Sequence, residues 1–333
     1  MSLCGFVGSQ GWGFLYDLGL VTANTAVTVR VPAKVNLQLA VGPAREDGYH
    51  DLVNVFHAVS LFDEVTVSEA RPRAEREFVR LSVAGDLGSH TDLVPLDDTN
   101  LAARAARLVA RECVQAGPVD IHLNKRIPVA GGMAGGSADA AAALVACDTL
   151  WGAGLAEDAL LSMAAQLGSD VAFPLVGATA VGTGRGELLT PVENAGRYQW
   201  VFALSGEGLS TAAVFAEYDR LRPDAPEPRS DDRLMAALAA GDARQLGAAL
   251  SNDLERAALS LRPDLAETLG VGRAAGALGA IVSGSGPTCA FLAEDEDAAE
   301  AVATALEKSG ACERAVRAYG DVAGATVIRR EGA

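Results

Sequence analysis

The sequence predicts a two-domain protein of mixed secondary structure, α/β or α+β, and three observations carry that expectation. First, 333 residues, half of them hydrophobic, suffice to bury two modest cores. Second, aromatic residues make up only 5%, so packing must rest on Ala, Val and Leu, which suits helices laid on sheets better than an aromatic-rich sandwich. Third, between about residues 183 and 230 the composition turns to Gly, Pro and charge, through Thr183-Gly184-Arg185-Gly186-Glu187 and then Pro223, Pro226 and Pro228. That shift marks a domain junction near residue 190. The expected division is a loosely ordered extension over residues 1–23, a first domain over 24–190 and a second over 191–333.

The elements follow in chain order. The first 23 residues are Gly-rich and mildly apolar, and the first basic residue is Arg30, so the positive n-region of a signal peptide is missing. Thr28 to Val41 alternates as a strand through Val29, Val31, Val35, Leu37 and Leu39, is broken by Pro32, and ends at the turn Gly42-Pro43. Asp63 to Val67 repeats the strand pattern. Asp97-Asp98-Thr99-Asn100 offers caps to a helix whose apolar positions Leu101, Ala105, Leu108 and Val109 keep helical spacing, with Gly117-Pro118 as its stop.

Val119 to Leu123 returns to alternation. After Lys125-Arg126-Ile127-Pro128 comes Gly131-Gly132-Met133-Ala134-Gly135-Gly136-Ser137 and a long Ala-rich helix. A helix over Glu157 to Leu167 stops at Gly168, and Ser169 to Pro174 leads into a strand from Ala178. The second half reads as a strand (Trp200 to Leu204), several helices, strands at Ala280 to Val282 and Cys289 to Ala293, a helix from Asp295 to Lys308, and a last strand or two.

Charge and composition exclude several function classes. A net charge of −16 opposes a nucleic-acid partner, whose affinity comes from clustered Lys and Arg neutralising phosphates, and no polybasic membrane patch exists. No stretch reaches the length of apolar sequence that a membrane span needs. The cysteines, at 4, 113, 147, 289 and 312, form no C-x-x-C pair, and the histidines, at 50, 57, 90 and 122, form no ligand set, so reduced thiols, no transition-metal site and a cytoplasmic location are expected.

Strand, glycine loop, helix is the order of a phosphate cradle: glycines admit a ligand to the backbone, and a helix beginning near Ser137 offers free amides and a positive dipole end. The loop is neither a Walker A motif nor a G-x-G-x-x-G fingerprint. Taken alone it is also compatible with a flexible turn before a tightly packed helix. A second glycine turn, Ser283-Gly284-Ser285-Gly286-Pro287-Thr288, lies between two strands and would close over the same anion. Of 27 basic residues only Lys34, Lys125 and Lys308 are lysines, so an ammonium within Pro32-Ala33-Lys34-Val35-Asn36-Leu37 reads either as chance or as a place where a planar guanidinium does not fit. Asp170, alone, is a turn residue. Beside a lysine and a phosphate loop, it is the carboxylate that alcohol phosphorylation uses to accept a proton.

Pro32 to Leu37, Pro128 to Ala141 and Ser283 to Thr288, in this order and spacing, resemble the three motifs of the GHMP kinase superfamily. Asp47-Gly48-Tyr49-His50, Leu167-Gly168-Ser169-Asp170-Val171, Gly184 to Glu187 and Asn252-Asp253-Leu254-Glu255 resemble its branch that phosphorylates a cytidine diphosphate-linked methylerythritol. The likeness covers roughly residues 27 to 325.

The resemblance implies an α+β fold, with a first domain like ribosomal protein S5 domain 2, a ferredoxin-like second domain and the nucleotide between them. It also implies ATP and Mg²⁺ as cofactors, no nucleic acid or membrane partner, and a monomer or homodimer. By motif position Asp170 would be general base and Lys34 would steady the acceptor hydroxyl. Asn36, Tyr49 and His50 would bind substrate together with Asp170, Gly284, Ser285 and Gly286. Pro128, Val129, Ala130, Gly131, Gly132, Met133, Ala134, Gly135, Gly136 and Ser137 would bind ATP.

The loop departs from the family's more glycine- and serine-rich form at Ala130, Met133, Ala134 and Ala138, and Ala172 stands where the family often has proline. If residue 134 needs a positive φ, alanine costs about 1 kcal/mol there relative to glycine. Kinases of the mevalonate or homoserine type would share the three motifs but have no use for the Asp-Gly-Tyr-His loop. A non-catalytic nucleotide-binding homologue would have no use for the pair Lys34 and Asp170.

Overall fold

A computed structural model of the chain describes residues 25–70, 77–85, 88–129 and 131–332. The expected extension over residues 1–23 and the loop residue Ala130 lie outside the described residues.

Two long strands, β1 (Ala26–Ala44) and β2 (His50–Glu69), pair antiparallel along nearly their whole length and bend at register shifts after Pro32 and after Asn36. The sheet continues through β3 (Val79–Gly85), α1 (Leu101–Glu112) and β4 (Val119–Lys125), with β4 antiparallel to β2 and β3 parallel to β4. Asn100 caps α1 by accepting from the Ala102 amide at 2.8 Å, the role its position before the apolar rhythm predicts. The small residues Ala102, Ala103, Ala105 and Ala106 face inward with Val109, so α1 packs closely.

Next come α2 (Gly135–Trp151), α3 (Glu157–Leu167), α4 (Ala172–Val176), β5 (Thr179–Thr183) and β6 (Leu188–Pro191). α2 is apolar on nearly every side because it is covered on every side, by β1, β2, α1, α3 and α4. The segment read as a linker before a strand holds the short helix α4, where Phe173 stacks on Phe56 with ring centroids 4.8 Å apart.

The second half runs β7 (Tyr198–Leu204), α5 (Thr211–Leu221), α6 (Asp232–Ala240), α7 (Ala243–Ala249), β8 (Ser251–Asn252), α8 (Glu255–Leu261), α9 (Asp264–Ala274), β9 (Gly279–Val282), β10 (Cys289–Ala293), α10 (Glu296–Ser309) and β11 (Arg314–Gly320). Its antiparallel sheet has the order β11-β7-β10-β9, which with the intervening helices is the β-α-β-β-α-β arrangement of ferredoxin-like folds. The final strand, β12 (Thr326–Glu331), returns to the first sheet and pairs antiparallel with Ala26–Arg30 of β1. Pro32 lies just past that pairing, so its missing N–H removes no ladder bond there.

One core joins the two halves. Val29, Val35 and Leu37 of β1 belong to the same buried cluster as Tyr198, Trp200 and Phe202 of β7. The Tyr319 amide donates to Ser60 Oγ at 2.9 Å, and a Cβ on Gly320 would come 2.0 Å from His57 Nε2, so β11 lies directly against β2. Among the described residues Cys113, Cys147, Cys289 and Cys312 are free thiols, and no helix is long and apolar enough to cross a membrane.

Candidate active site

The bend in β1 carries a polar stripe into a cleft. Strand alternation turns Lys34 and Asn36 into the cleft and Val35 and Leu37 into the core, and the register shift after Asn36 then brings Leu39 to the cleft while Gln38 bonds the backbone of Arg229 and Asp231. Lys34 Nζ donates to Asn36 Oδ1 at 2.6 Å, and Asn36 Nδ2 donates to Asn54 Oδ1 of β2 at 2.7 Å, which fixes where the ammonium points. Asp170, in the turn between α3 and α4, brings Oδ2 to 3.8 Å from Lys34 Nζ while its side chain stays about a third exposed. Burial pulls the Lys34 ammonium below its ordinary value, and Asp170 opposes that pull.

Both residues line a cleft of about 1450 Å³. Its floor is the glycine loop. Ala134 is left-handed, φ +60° and ψ +32°, so the strain foreseen for alanine at this position is present. No side chain caps α2, and the amides of Gly135, Gly136 and Ser137 lie in its first turn, where no intrahelical acceptor exists. A Cβ on Gly136 would meet nothing within 4 Å, so the mouth of the cradle is open. Gly132 is held from behind: with φ +72°, a Cβ there would fall 2.2 Å from the Ser283 carbonyl.

The second glycine turn thus packs on the first. Ser283 Oγ donates to the Gly132 carbonyl at 3.2 Å, and a Cβ on Gly284 would approach Lys34 Nζ and Asn36 Oδ1 to 3.3 Å each. The motif Asn252 to Glu255 is the bracket that holds this turn. Asn252 Nδ2 donates to the carbonyls of Val282 and Gly284, both at 2.8 Å, and Glu255 accepts the Val282 amide at 2.9 Å.

Of the expected residues, Lys34, Asn36, Tyr49, His50, Pro128, Gly131, Gly132, Ala134, Gly135, Gly136, Ser137, Asp170, Gly284 and Ser285 line the cleft. Val129, Met133 and Gly286 do not. The Met133 side chain is fully buried in the core and only its carbonyl reaches β1, accepting the Lys34 amide at 3.4 Å. Gly286 lies behind the turn, where a Cβ would press on Val282 at 2.8 Å.

The far end of the cleft is aromatic. Asp47 Oδ1 accepts the Tyr49 amide at 3.1 Å, and Gly48 at φ +79° completes a turn that leaves Tyr49 53% exposed beneath Arg185. His50 is buried and stacks on Phe215 of α5 at 5.1 Å. Arg185, Thr211, Phe215 and Asp219 also line this end, and sequence reasoning assigned none of them to the site. Phe215 and Asp219, four apart on α5, share one helix face, but in sequence an apolar residue and a carboxylate at that spacing describe any amphipathic helix.

Directly behind the cradle lies a buried ionic cluster. Lys125 Nζ donates to Asp63 and, at 2.6 Å, to Asp139 Oδ2 of α2, and all three side chains are at most 5% exposed. Asp63 is satisfied further by the amides of Arg126 and Ile127, at 2.6 and 2.9 Å, whereas Asp139 Oδ1 has no partner. Burial pushes the Asp139 carboxyl up to about 7, with Lys125 opposing and Asp63 adding to the rise. The folded chain therefore holds this proton more tightly than the unfolded chain does. Stability from this group is present at low pH and is lost as pH rises through about 7. Denaturant unfolding from about pH 5 to about pH 8 should show Asp139→Asn gaining stability relative to wild type as pH rises, because the amide mimics the protonated acid. A constant difference across that range would show that Asp139 stays ionised.

Comparison with known proteins agrees with this architecture. The GHMP kinases N terminal domain family matches residues 100–178 and the GHMP kinases C terminal family matches residues 234–312. A 4-diphosphocytidyl-2-C-methyl-D-erythritol kinase of Thermobifida fusca (strain YX) is 67% identical over 308 residues, 92% of this chain and 100% of that protein. One of Streptomyces coelicolor is 58% identical over 91% of this chain and 99% of that protein.

Among solved structures, a 4-(cytidine 5'-diphospho)-2C-methyl-D-erythritol kinase superposes with a TM-score of 0.70 at 35% identity, covering 87% of this chain and 98% of that one. A mevalonate kinase from L. major, with a TM-score of 0.68 and 15% identity over 91% of this chain and 98% of that one, shares the fold. Two bracketed glycine turns, a lysine and a carboxylate converging beside them, and relatives of this identity over nine tenths of the chain lead to one conclusion: the chain belongs to the 4-diphosphocytidyl-2-C-methyl-D-erythritol kinases, within the ATP-using GHMP kinases.

Proposed function

We propose that the protein transfers the γ-phosphoryl group of ATP to the 2-hydroxyl of 4-diphosphocytidyl-2-C-methyl-D-erythritol, giving the 2-phosphate and ADP, as a cytoplasmic step of the non-mevalonate isoprenoid precursor pathway. The observation that carries this reading is the 3.8 Å approach of Lys34 Nζ to Asp170 Oδ2 at the edge of an uncapped helix N-terminus. That separation is too long for a direct hydrogen bond and leaves room for an acceptor hydroxyl that touches both groups.

In this proposal Asp170 takes the hydroxyl proton, the substrate oxygen forms its bond to the γ-phosphorus, and the bond from that phosphorus to the bridging oxygen breaks to release ADP. Lys34 offsets charge on the transferring group and steadies the hydroxyl, and Asn36 holds both the ammonium and the substrate. Because such a transfer has little covalent chemistry for the protein to perform, positioning and charge supply most of the acceleration.

The loop from Gly131 to Ser137 receives the ATP phosphates through its amides, with Gly284 and Ser285 shaping the opposite wall. Tyr49 and His50 hold the cytosine. Among the described residues no three His, Cys, Asp or Glu side chains gather as a metal cage. Mg²⁺ bound with the ATP would neutralise phosphate charge, and Ser137, in the first turn of α2 and lining the cleft, would offer its hydroxyl to a phosphate or to the metal. The division at residues 24–190 and 191–333 is part of the same proposal, with β12 as the segment that crosses back.

Coupled ATP turnover with diphosphocytidyl-methylerythritol, mevalonate and homoserine, offered separately, tests the assignment. Turnover is expected with the first alone. Turnover with mevalonate or homoserine only would overturn it.

A further inference from the structure

The aim of Lys34 rests on one neutral side chain. Among the described residues only Asn36 Oδ1, at 2.6 Å, lies within hydrogen-bond distance of Lys34 Nζ, since Asp170 stands off at 3.8 Å and the Phe56 ring centroid at 5.9 Å. Asn36 is in turn anchored at one further point. Its oxygen is taken by the lysine, which leaves Nδ2 to donate onward, and Asn54 Oδ1 receives that hydrogen at 2.7 Å.

The sheet fixes Asn54 in place. β2 is flanked there by two strands, with Asn54 paired to Leu39 of β1 on one side and to Gly182 of β5 on the other. Alternation puts Asn54 on the same face as Phe56, whose ring Lys34 overlies. An asparagine only 4% exposed in a strand with two neighbours is a costly choice, because sheets disfavour this residue type and its amide must leave water. Among the described residues the bond to Asn36 is the one hydrogen bond its side chain makes, so that bond is what the burial secures.

We propose that Asn54 is a positioning residue for the transfer, which through Asn36 holds the Lys34 ammonium where the acceptor hydroxyl and the transferring phosphoryl group meet. This rests on the proposed phosphoryl transfer and adds to it the residue that sets where its cation stands. Removing Asn54 leaves Asn36 Nδ2 without an acceptor, and Asn36 and Lys34 are then free to swing together. A misplacement of about 1 Å at such a point costs roughly 100-fold in rate.

The test is a double-mutant cycle read in kcat and in KM. Asn54→Leu, which keeps the volume and removes the acceptor, is expected to lower kcat roughly 100-fold while the KM of the alcohol substrate stays within about threefold of wild type. Asn54→Ala carries the same expectation if a thermal melt shows that leucine disturbs the fold, and Asn54→Asp, which keeps an acceptor oxygen, is expected to recover most of the loss. In an Asn36→Leu background the further loss of Asn54 is expected to cost less than about twofold, since the link is already cut. An unchanged kcat, losses that simply multiply, or a loss carried by KM alone would overturn the inference. The substrate reading is tested apart from it, in wild type: turnover of mevalonate or homoserine only would sink that reading, and the cycle run on the accepted alcohol would still decide the role of Asn54. A wild type that phosphorylates no alcohol overturns both.

Discussion

Asp170→Asn is expected to lower turnover by roughly two to four orders of magnitude, the range for losing a proton-transfer partner, and Lys34→Met to do the same. The two losses have different origins. Asparagine keeps the shape of Asp170 but cannot take the proton, so kcat should fall with little change in substrate KM. Methionine fills the Lys34 stem but removes the charge that faces the transferring group. Neither variant should melt far from wild type. Asp170 is about a third exposed, and burying the ammonium of Lys34 already costs the fold enough to pull its titration downward. Steady-state kinetics with thermal unfolding checks both points. Near-normal rates in both variants would reject the roles given to this pair.

Gly132→Ala is expected to be nearly as damaging, through geometry rather than charge. At φ +72° a side chain strains the backbone, and its Cβ would sit 2.2 Å from the Ser283 carbonyl, so the two glycine turns must part. Displacing the cradle by about 1 Å is enough to cost roughly 100-fold in kcat/KM for ATP. The overpacking should also cost about 1–3 kcal/mol of stability, seen in a chemical melt. An unchanged KM for ATP in a variant that melts early would show that the loop does not hold the nucleotide.

How far the site was legible in the sequence depended on the kind of signal each residue gives. Lys34 stood out as one of three lysines among 27 basic residues, and its burial in the strand is a place where a compact ammonium fits, whereas Asn36 was reached only through the resemblance. The glycine loop was legible because close backbone packing excludes side chains, and Gly132 against Ser283 is that packing. The motif Asn252 to Glu255 was visible as a pattern, but its work as a bracket under residues 282–284 was not, since hydrogen bonds between distant segments leave no spacing rule.

Phe215 and Asp219 were missed for another reason: their role comes from which cleft α5 faces, and that is fixed by tertiary packing. The same holds for β2. Only Asp63 to Val67 alternated cleanly, because its first half is covered by β5 and α4 and its faces no longer differ in polarity. The helix α4 was read as a linker because five residues give too short a period to detect.

The return of β12 to β1 bears on how the chain is made. On a ribosome, the edge of β1 at Ala26–Arg30 emerges early and has no antiparallel neighbour on that side until Thr326–Glu331 has been synthesised. An open strand edge held until its partner strand is made is a template for misdirected pairing. Exposed Arg30 is the kind of charge that discourages such encounters on the open edge until β12 is made, and the exposed Arg329 and Arg330 do the same for β12, the outer strand of the finished pair.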